Sequence, residues 1–561
     1  MKLFDAAISN SVYGFFISKA DALKSLEEAN ELLQNECGVK DFFENETELS
    51  YIVEKLNEAK VSETYESNPE YGDFQTNQIL TAQITKKLKT EGVSPKIVVE
   101  PTCGKGHFIL ATLHTFDEIE KIYGVEIQKK YTWQAKFNIL DFFLNNPRKI
   151  KPEIHIIHSS IFDFNYHIIK DVIGEKELLI IGNPPWVTNS ELSAMDSKNL
   201  PKKSNFKRHK GLDAMTGKGN FDIAEYITID LLRNFGRCMG NMVFLVKNTV
   251  IKNIVYDIPK LKLPIADMRK QNIDAKKEFD VNVDASLFIC KLNKETEYYC
   301  QESDFYSSEI KCDFGWKNNK FMSVLSTDNE IDGVSPFEWR QGIKHDCSKI
   351  MEIEFDGEFF INKLGEQFLL EGDLVYPLLK SSDLKTTAAN STRKMTIVTQ
   401  KYVGQDTAYI KKYPQTFDYL SNHIDLFRMR KSTIYKGKYD FSIFGIGDYS
   451  FKPYKIAISG LYKTFHFCLV KPQNEKPVML DDTCYFIGFD TLEQAEFIWE
   501  LLNTDLVADL LKSISFKDSK RMITKDILMR IDLKKVSCIK GYNTCFFDEF
   551  EKKQDQQLNL F

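Results

Sequence analysis

Apolar residues in the first 65 positions recur every three or four places. "SKADALKSLEEANELLQNE" and "ELSYIVEKLNEAKVSETY" both carry this spacing, which predicts amphipathic helices over residues 1–65. From 66 to about 295 the pattern changes. Short unbroken apolar runs, "KIVVE" (96–100), "KIYGVEI" (121–127), "EIHIIHS" (153–159), "LLIIG" (178–182), "NMVFLV" (241–246) and "DASLFICKL" (284–292), are separated by stretches of helical spacing. A strand without polar alternation is covered on both faces, so the rhythm predicts a doubly wound, Rossmann-like α/β sheet over 66–295. Beyond 295, "KIAISGLY", "FHFCLV" and "CYFIGF" read as short strands, and "TLEQAEFIWELLNTDLVADLLKS" as one amphipathic helix. Residues 296–561 are therefore expected to form a separate α+β domain.

Composition narrows this picture in three ways. An apolar fraction of 43% and an aromatic fraction of 13% over 561 residues supply enough material for large cores. The eleven cysteines include no C-x-x-C pair, so neither a zinc site nor a disulfide framework is expected, and the cytoplasm is the expected compartment. No 18-residue apolar run is present, and no membrane association is expected. A net charge of −6 disfavours a general nucleic-acid coat but leaves room for a local basic cleft.

Two strand ends carry candidate chemistry. After the first strand, "EPTCGKGHFIL" places Gly104 and Gly106 in a turn that opens a helix. Without Cβ atoms, that turn lets the backbone approach a ligand; a plain strand-to-helix turn is the alternative. Glu126 ends the second strand, where an acid can accept both hydroxyls of a ribose. The turn is shorter than G-x-G-x-x-G and lacks G-K-[ST], which points to a ribose-bearing cofactor without a pyrophosphate. The run "LLIIG" then ends in Asn183, Pro184, Pro185 and Trp186. Two prolines forbid both helix and ladder pairing, so a rigid turn is expected at the carboxyl end of that strand.

"VVEPTCGKGHFIL", "GVEI" and "IIGNPPW" together resemble the class I S-adenosylmethionine-dependent methyltransferases, and more narrowly the DNA adenine-N6 enzymes of restriction–modification systems, whose motif is [DNS]-P-P-[YFW]. "YGDFQTN" (71–77) is similar to the G-x-[YF]-x-T-P segment of the gamma-ordered subgroup, with Asn77 in place of the proline. The resemblance implies S-adenosyl-L-methionine as cofactor. Glu100, Thr102, Gly104 and Gly106 would line its methionine moiety, and Phe74, Gln75 and Thr76 would close over that end. Glu126 would hold the ribose. Ile127 would pack on the cofactor adenine, with Ser159, Ser160 and Ile161 at the third strand end beside it; Ser159 or Ser160 stands where the pattern usually has an Asp. Asn183 and Pro184 would accept hydrogen bonds from the target amine, and Pro185 would stiffen the turn. Trp186 would stack on a flipped adenine, and Phe279 is the candidate for its opposite face, with a core phenylalanine as the alternative.

Two basic segments are candidates for contact with duplex DNA. "LPKKSNFKRHKGLDAMTGKGN" offers Lys207 and Arg208, and "FRMRKSTIYKGKYDFSIFG" offers Arg428, Arg430 and Lys431 among aromatic residues. A solvated basic surface is the alternative for both. The resemblance places target recognition in 296–561, implies action on DNA as a monomer or dimer, and pairs such enzymes with a separate restriction endonuclease or leaves them solitary. Methylation of an RNA adenine or a protein glutamine amide, or a fused restriction–methylation enzyme, are the competing readings. In "NFDIAEYITIDLL", Asn220 is expected to cap a helix.

Overall fold

A computed structural model describes residues 2–57, 76–188, 221–327, 329–384, 388–389, 392–519 and 521–547. The chain forms two compact units, 1–321 and 322–561.

The first unit is built on one ten-stranded sheet. Its strands are β1 (Ile97–Glu100), β2 (Lys121–Glu126), β3 (Glu153–His158), β4 (Leu178–Gly182), β5 (Gly240–Lys247), β6 (Ile265–Ile273), β7 (Ala285–Leu292), β8 (Tyr299–Asp304), β9 (Ile310–Lys317) and β10 (Lys320–Met322). They lie in the order β10-β9-β8-β6-β7-β5-β4-β1-β2-β3. Strands β3, β2, β1, β4 and β5 run parallel, and β7 enters antiparallel between β5 and β6. All of β1 and all of β4 are buried, as expected for apolar runs covered on both faces. The strand order reverses between β1 and β4, and loops leaving their carboxyl ends diverge there into a crevice. This is the doubly wound sheet that the sequence predicts.

Helices α1 (Asn10–Ser18), α2 (Leu26–Cys37), α3 (Glu46–Asn57), α4 (Gln78–Thr90), α5 (His107–Thr115), α6 (Lys129–Asn145), α7 (His167–Ile173), α8 (Ile223–Phe235), α9 (Asn248–Leu261) and the short α10 (Ala275–Phe279) belong to this unit. The N-terminal helices are not a domain apart. Phe16, Phe42, Leu33 and Ile52 share one core with Trp133, Phe137 and Ile154 of α6 and β3. Residues 38–40 also hydrogen-bond the backbone of Ile154, covering the sheet edge at β3.

The structure departs from the sequence expectation at four further points. The unit boundary falls after Phe321 rather than at 295, because β8 pairs in parallel with β6 and carries β9 with it. Strand β6, "IADMRKQNI", was not expected. Its charges are consumed in pairs, Arg269 with Glu91 at 2.8 Å and Lys270 with Glu302 at 3.1 Å, so a polar segment lies inside the sheet. Asp222, not Asn220, caps α8 by accepting from the Ala224 amide at 3.0 Å; Asn220 lies outside the described residues. The long helix expected near 491–513 is two helices, Leu492–Leu502 and Asp505–Ile514. They part at Asn503, whose side chain bonds both the amide and the carbonyl of Phe467 at 3.1 Å.

The second unit is α+β. A five-stranded sheet centred on Tyr454–Ser459 and Cys484–Phe489 packs under those two helices, with Trp339, Ile498 and Leu510 in its core. A six-stranded sheet centred on Glu352–Phe355, Lys394–Ile397 and Val375–Leu379 holds a second core around Ile353, Ile397 and Leu420.

Candidate active site

The site assembles at the carboxyl ends of β1, β2 and β4. At the first, the turn into α5 uses both glycines: Gly104 has φ +50° and Gly106 φ +77°, the left-handed region that L-residues avoid. A Cβ on Gly106 would lie 3.3 Å from that of Ala135, so α5 starts hard against α6. Gly106 has no side chain to cap α5. Glu100 does so from β1, accepting from the Ile109 amide at 3.2 Å. Its carboxyl is buried, and burial, with the charge of Glu126 adding to it, pushes its pKa well above the carboxylate range against the pull of that amide.

Glu126 organises the same turn. One carboxylate oxygen accepts from the Gly104 amide at 2.9 Å and the other from the Gln128 amide at 2.7 Å. Beside it Ile127 is 36% exposed, an apolar side chain open to solvent at a ligand-facing strand end. The Ser159 amide bonds the Glu126 carbonyl at 3.0 Å, the Ser160 hydroxyl accepts from the Phe162 amide at 3.2 Å, and Ile161 is buried alongside.

The Asn183 turn leaves β4 next to this set. The Thr102 hydroxyl lies 3.5 Å from the Asn183 carbonyl, and the Asn183 amide nitrogen donates to the Thr76 hydroxyl at 3.2 Å. Thr76 is held in turn by His107, whose Nδ1 donates to its carbonyl at 2.5 Å. Burial, with Lys105 adding to it, lowers the His107 pKa against that contact. The far side of the turn is equally fixed. Buried Trp186 donates from Nε1 to the Leu245 carbonyl at 3.2 Å, and the Val187 carbonyl accepts from the Ile223 amide at 2.9 Å. The Phe279 ring stands edge-on to Trp186 with centroids 5.0 Å apart.

The structure thus brings together Thr76, Glu100, Thr102, Gly104, Gly106, Glu126, Ile127, Ser159, Ser160, Ile161, Asn183, Pro184, Pro185, Trp186 and Phe279. Phe74, Gln75, Lys207 and Arg208 lie outside the described residues. Sequence reasoning missed His107; its one signal was a polar ring directly after the glycine turn.

The basic cluster of the second unit divides. Half-buried Arg430 is tied to the backbone: its guanidinium donates to the carbonyls of Phe427, His345, Ser442 and Asp440 and stacks 3.7 Å from the Tyr435 ring centroid. Its planar fork suits four backbone oxygens better than a mobile phosphate. Arg428 remains exposed in a loose 3.4 Å pair with Asp440. Lys431 lines an open cleft of about 710 Å³ with Glu352, Lys380 and Asp481.

A doubly wound sheet whose glycine turn, strand-end acids and rigid Asn-Pro-Pro-Trp turn meet at the reversal of strand order defines a methyltransferase of the Rossmann-like class. No family model matches the chain. It is 40% identical over 472 residues, 83% of this chain and 96% of the relative, to the type II methyltransferase M.NspV of Nostoc sp. (strain ATCC 29411 / PCC 7524). The chain belongs to the type II methyltransferase family. Among solved structures it is similar to the type IIL restriction–modification enzyme MmeI, solved in complex with DNA, with a TM-score of 0.48, 14% identity and coverage of 99% of this chain and 82% of that one. It is also similar to the type IIG restriction endonuclease BpuSI, with a TM-score of 0.34, 12% identity and coverage of 94% and 67%.

Proposed function

We propose that the chain transfers a methyl group from S-adenosyl-L-methionine to the N6 amine of an adenine flipped out of duplex DNA, as the modifying arm of a restriction–modification system. The observation that carries this reading is the Asn183 turn, fixed on both flanks and directly beside Thr102 and Glu100. An exocyclic amine is a weak nucleophile because its lone pair is delocalised into the ring. The Asn183 amide nitrogen donates to Thr76, and the proposed acceptors for the two N–H bonds of a substrate amine are the carboxamide oxygen and the Pro184 carbonyl. That geometry pulls the nitrogen toward a tetrahedral form with a free lone pair. Neither acceptor reorganises during the reaction, which is the source of electrostatic rate enhancement.

The residues of the glycine turn fit the cofactor. Glu100 is a buried carboxyl that accepts from the Ile109 amide, and in its ionised form it suits the ammonium of a methionine moiety. Glu126 suits a ribose, and exposed Ile127 a flat ring. When bound, S-adenosyl-L-methionine supplies an electrophilic methyl on a sulfonium sulfur. In this reading Trp186 and Phe279, now in edge-on contact at 5.0 Å, part to admit the base once it leaves the stack, the second unit reads sequence, and a separate endonuclease cleaves unmodified DNA in the same cytoplasm. Incubating the chain with methyl-labelled cofactor and unmethylated duplex DNA, then analysing nucleosides by mass spectrometry, is expected to yield N6-methyl-2′-deoxyadenosine alone. Label in N4-methylcytosine, or only in RNA or protein supplied in parallel, would refute the reading.

A further inference from the structure

Thr76 and Asn77 are consecutive, and they hold opposite sides of the proposed base pocket. Thr76 accepts from the Asn183 amide. Asn77 uses both ends of its own carboxamide. Its oxygen accepts from the Leu80 amide at 2.8 Å and caps α4, while its nitrogen donates to Glu278 Oε2 at 2.7 Å, across 201 residues of chain. The other Glu278 oxygen accepts from the Tyr306 hydroxyl at 2.8 Å. Glu278 directly precedes Phe279, the aromatic that meets Trp186. Helix α10 has only five residues. So short a helix has little intrinsic stability, and its placement depends on anchors outside itself. A proline at position 77 could provide neither the cap nor the donor.

We infer that Asn77 is a positioning residue: through Glu278 it sets where Phe279 stands relative to Asn183, so that the stacking and hydrogen-bonding sides of the pocket move as one. The inference rests on the adenine reading above. The test is a donor–acceptor swap in the full-length protein. Asn77→Asp keeps a side-chain oxygen to cap α4 but sets a carboxylate against Glu278. Glu278→Gln keeps an acceptor for Asn77 and an amide donor for the Tyr306 oxygen. In the double variant, Gln at 278 donates to Asp at 77 and accepts from Tyr306, restoring the bridge in reverse polarity.

Single-turnover methyl transfer to unmethylated genomic DNA, the cofactor dissociation constant and thermal melting are measured for all four proteins. Asn77→Asp is expected to slow transfer about tenfold and the double variant to recover to within about threefold of wild type, the coupling of residues in direct contact. The cofactor dissociation constant should stay within about twofold throughout, because the cap and the glycine turn are untouched. Wild-type transfer by Asn77→Asp, or a double variant no faster than Asn77→Asp, overturns the inference alone. No transfer to DNA by the wild-type protein overturns the adenine reading and the inference with it.

Discussion

Asn183 does its work by being unable to turn. Its nitrogen is held by Thr76, its carbonyl lies beside Thr102, and two prolines follow. Asn183→Ala is expected to lower the rate of methyl transfer by about 10²–10³-fold, the usual cost of one preorganised hydrogen-bonding group, while calorimetry finds cofactor binding little changed; loss of both together would make it a structural residue. Glu100 gives a pH signature. Its pKa is raised in the fold, so the folded state holds a proton that the unfolded chain has released, and stability of the unliganded protein falls as pH rises from 4.5 through the raised value. A cationic ligand favours the ionised form, so S-adenosyl-L-methionine binding should release a proton and tighten with rising pH over the same window. Titrations in buffers of different ionisation enthalpy should show that release, and Glu100→Gln should abolish it. Both residues were legible in the sequence because each ends an apolar run at a residue type that a strand does not need. His107, Asn77 and Glu278 were not, since their partners lie 31 and 201 residues away and no local pattern joins them.

At the scale of elements, the turn between β1 and α5 is the most constrained piece. Gly106 needs a positive φ and sits against Ala135, so Gly106→Ala should cost roughly 1–2 kcal/mol from backbone strain alone and weaken cofactor binding, measured by melting and calorimetry. An alanine variant as stable as wild type would show that the turn has slack. The six apolar strands could be read in advance because burial on both faces leaves an unmistakable run. Strand β6 could not, because Arg269 and Lys270 enter the sheet with their counter-charges supplied by distant Glu91 and Glu302. The break at Asn503 was hidden for a similar reason: Asn is tolerable in a helix, and only its bonds to Phe467 show why the helix ends there.

For the whole molecule, charge placement matters more than the net value of −6. The sequence cluster "FRMRK" promised a uniform basic face, yet Arg430 is spent on backbone carbonyls while Arg428 and Lys431 remain at the surface. Residue type alone does not tell a guanidinium committed to backbone carbonyls from a free surface cation. If Lys207 and Arg208 contact phosphates, reversing both charges should weaken DNA binding at low salt and reduce the salt-dependence slope by roughly two; unchanged affinity would make them ordinary solvated residues. The N-terminal helices follow the three-to-four spacing between Asn10 and Asn57, after a short strand pair at 2–7, and their aromatic contacts to α6 make them part of the first unit's core.

The proposed chemistry turns on whether the Asn183 turn accepts an adenine amine. Its most direct test is single-molecule sequencing of DNA from cells producing either the wild-type chain or Asn183→Ala. N6-methyladenine is expected at one short recognition sequence with the wild-type chain and is expected to be lost in the variant. A mark on cytosine, or the same adenine mark in both, would contradict it.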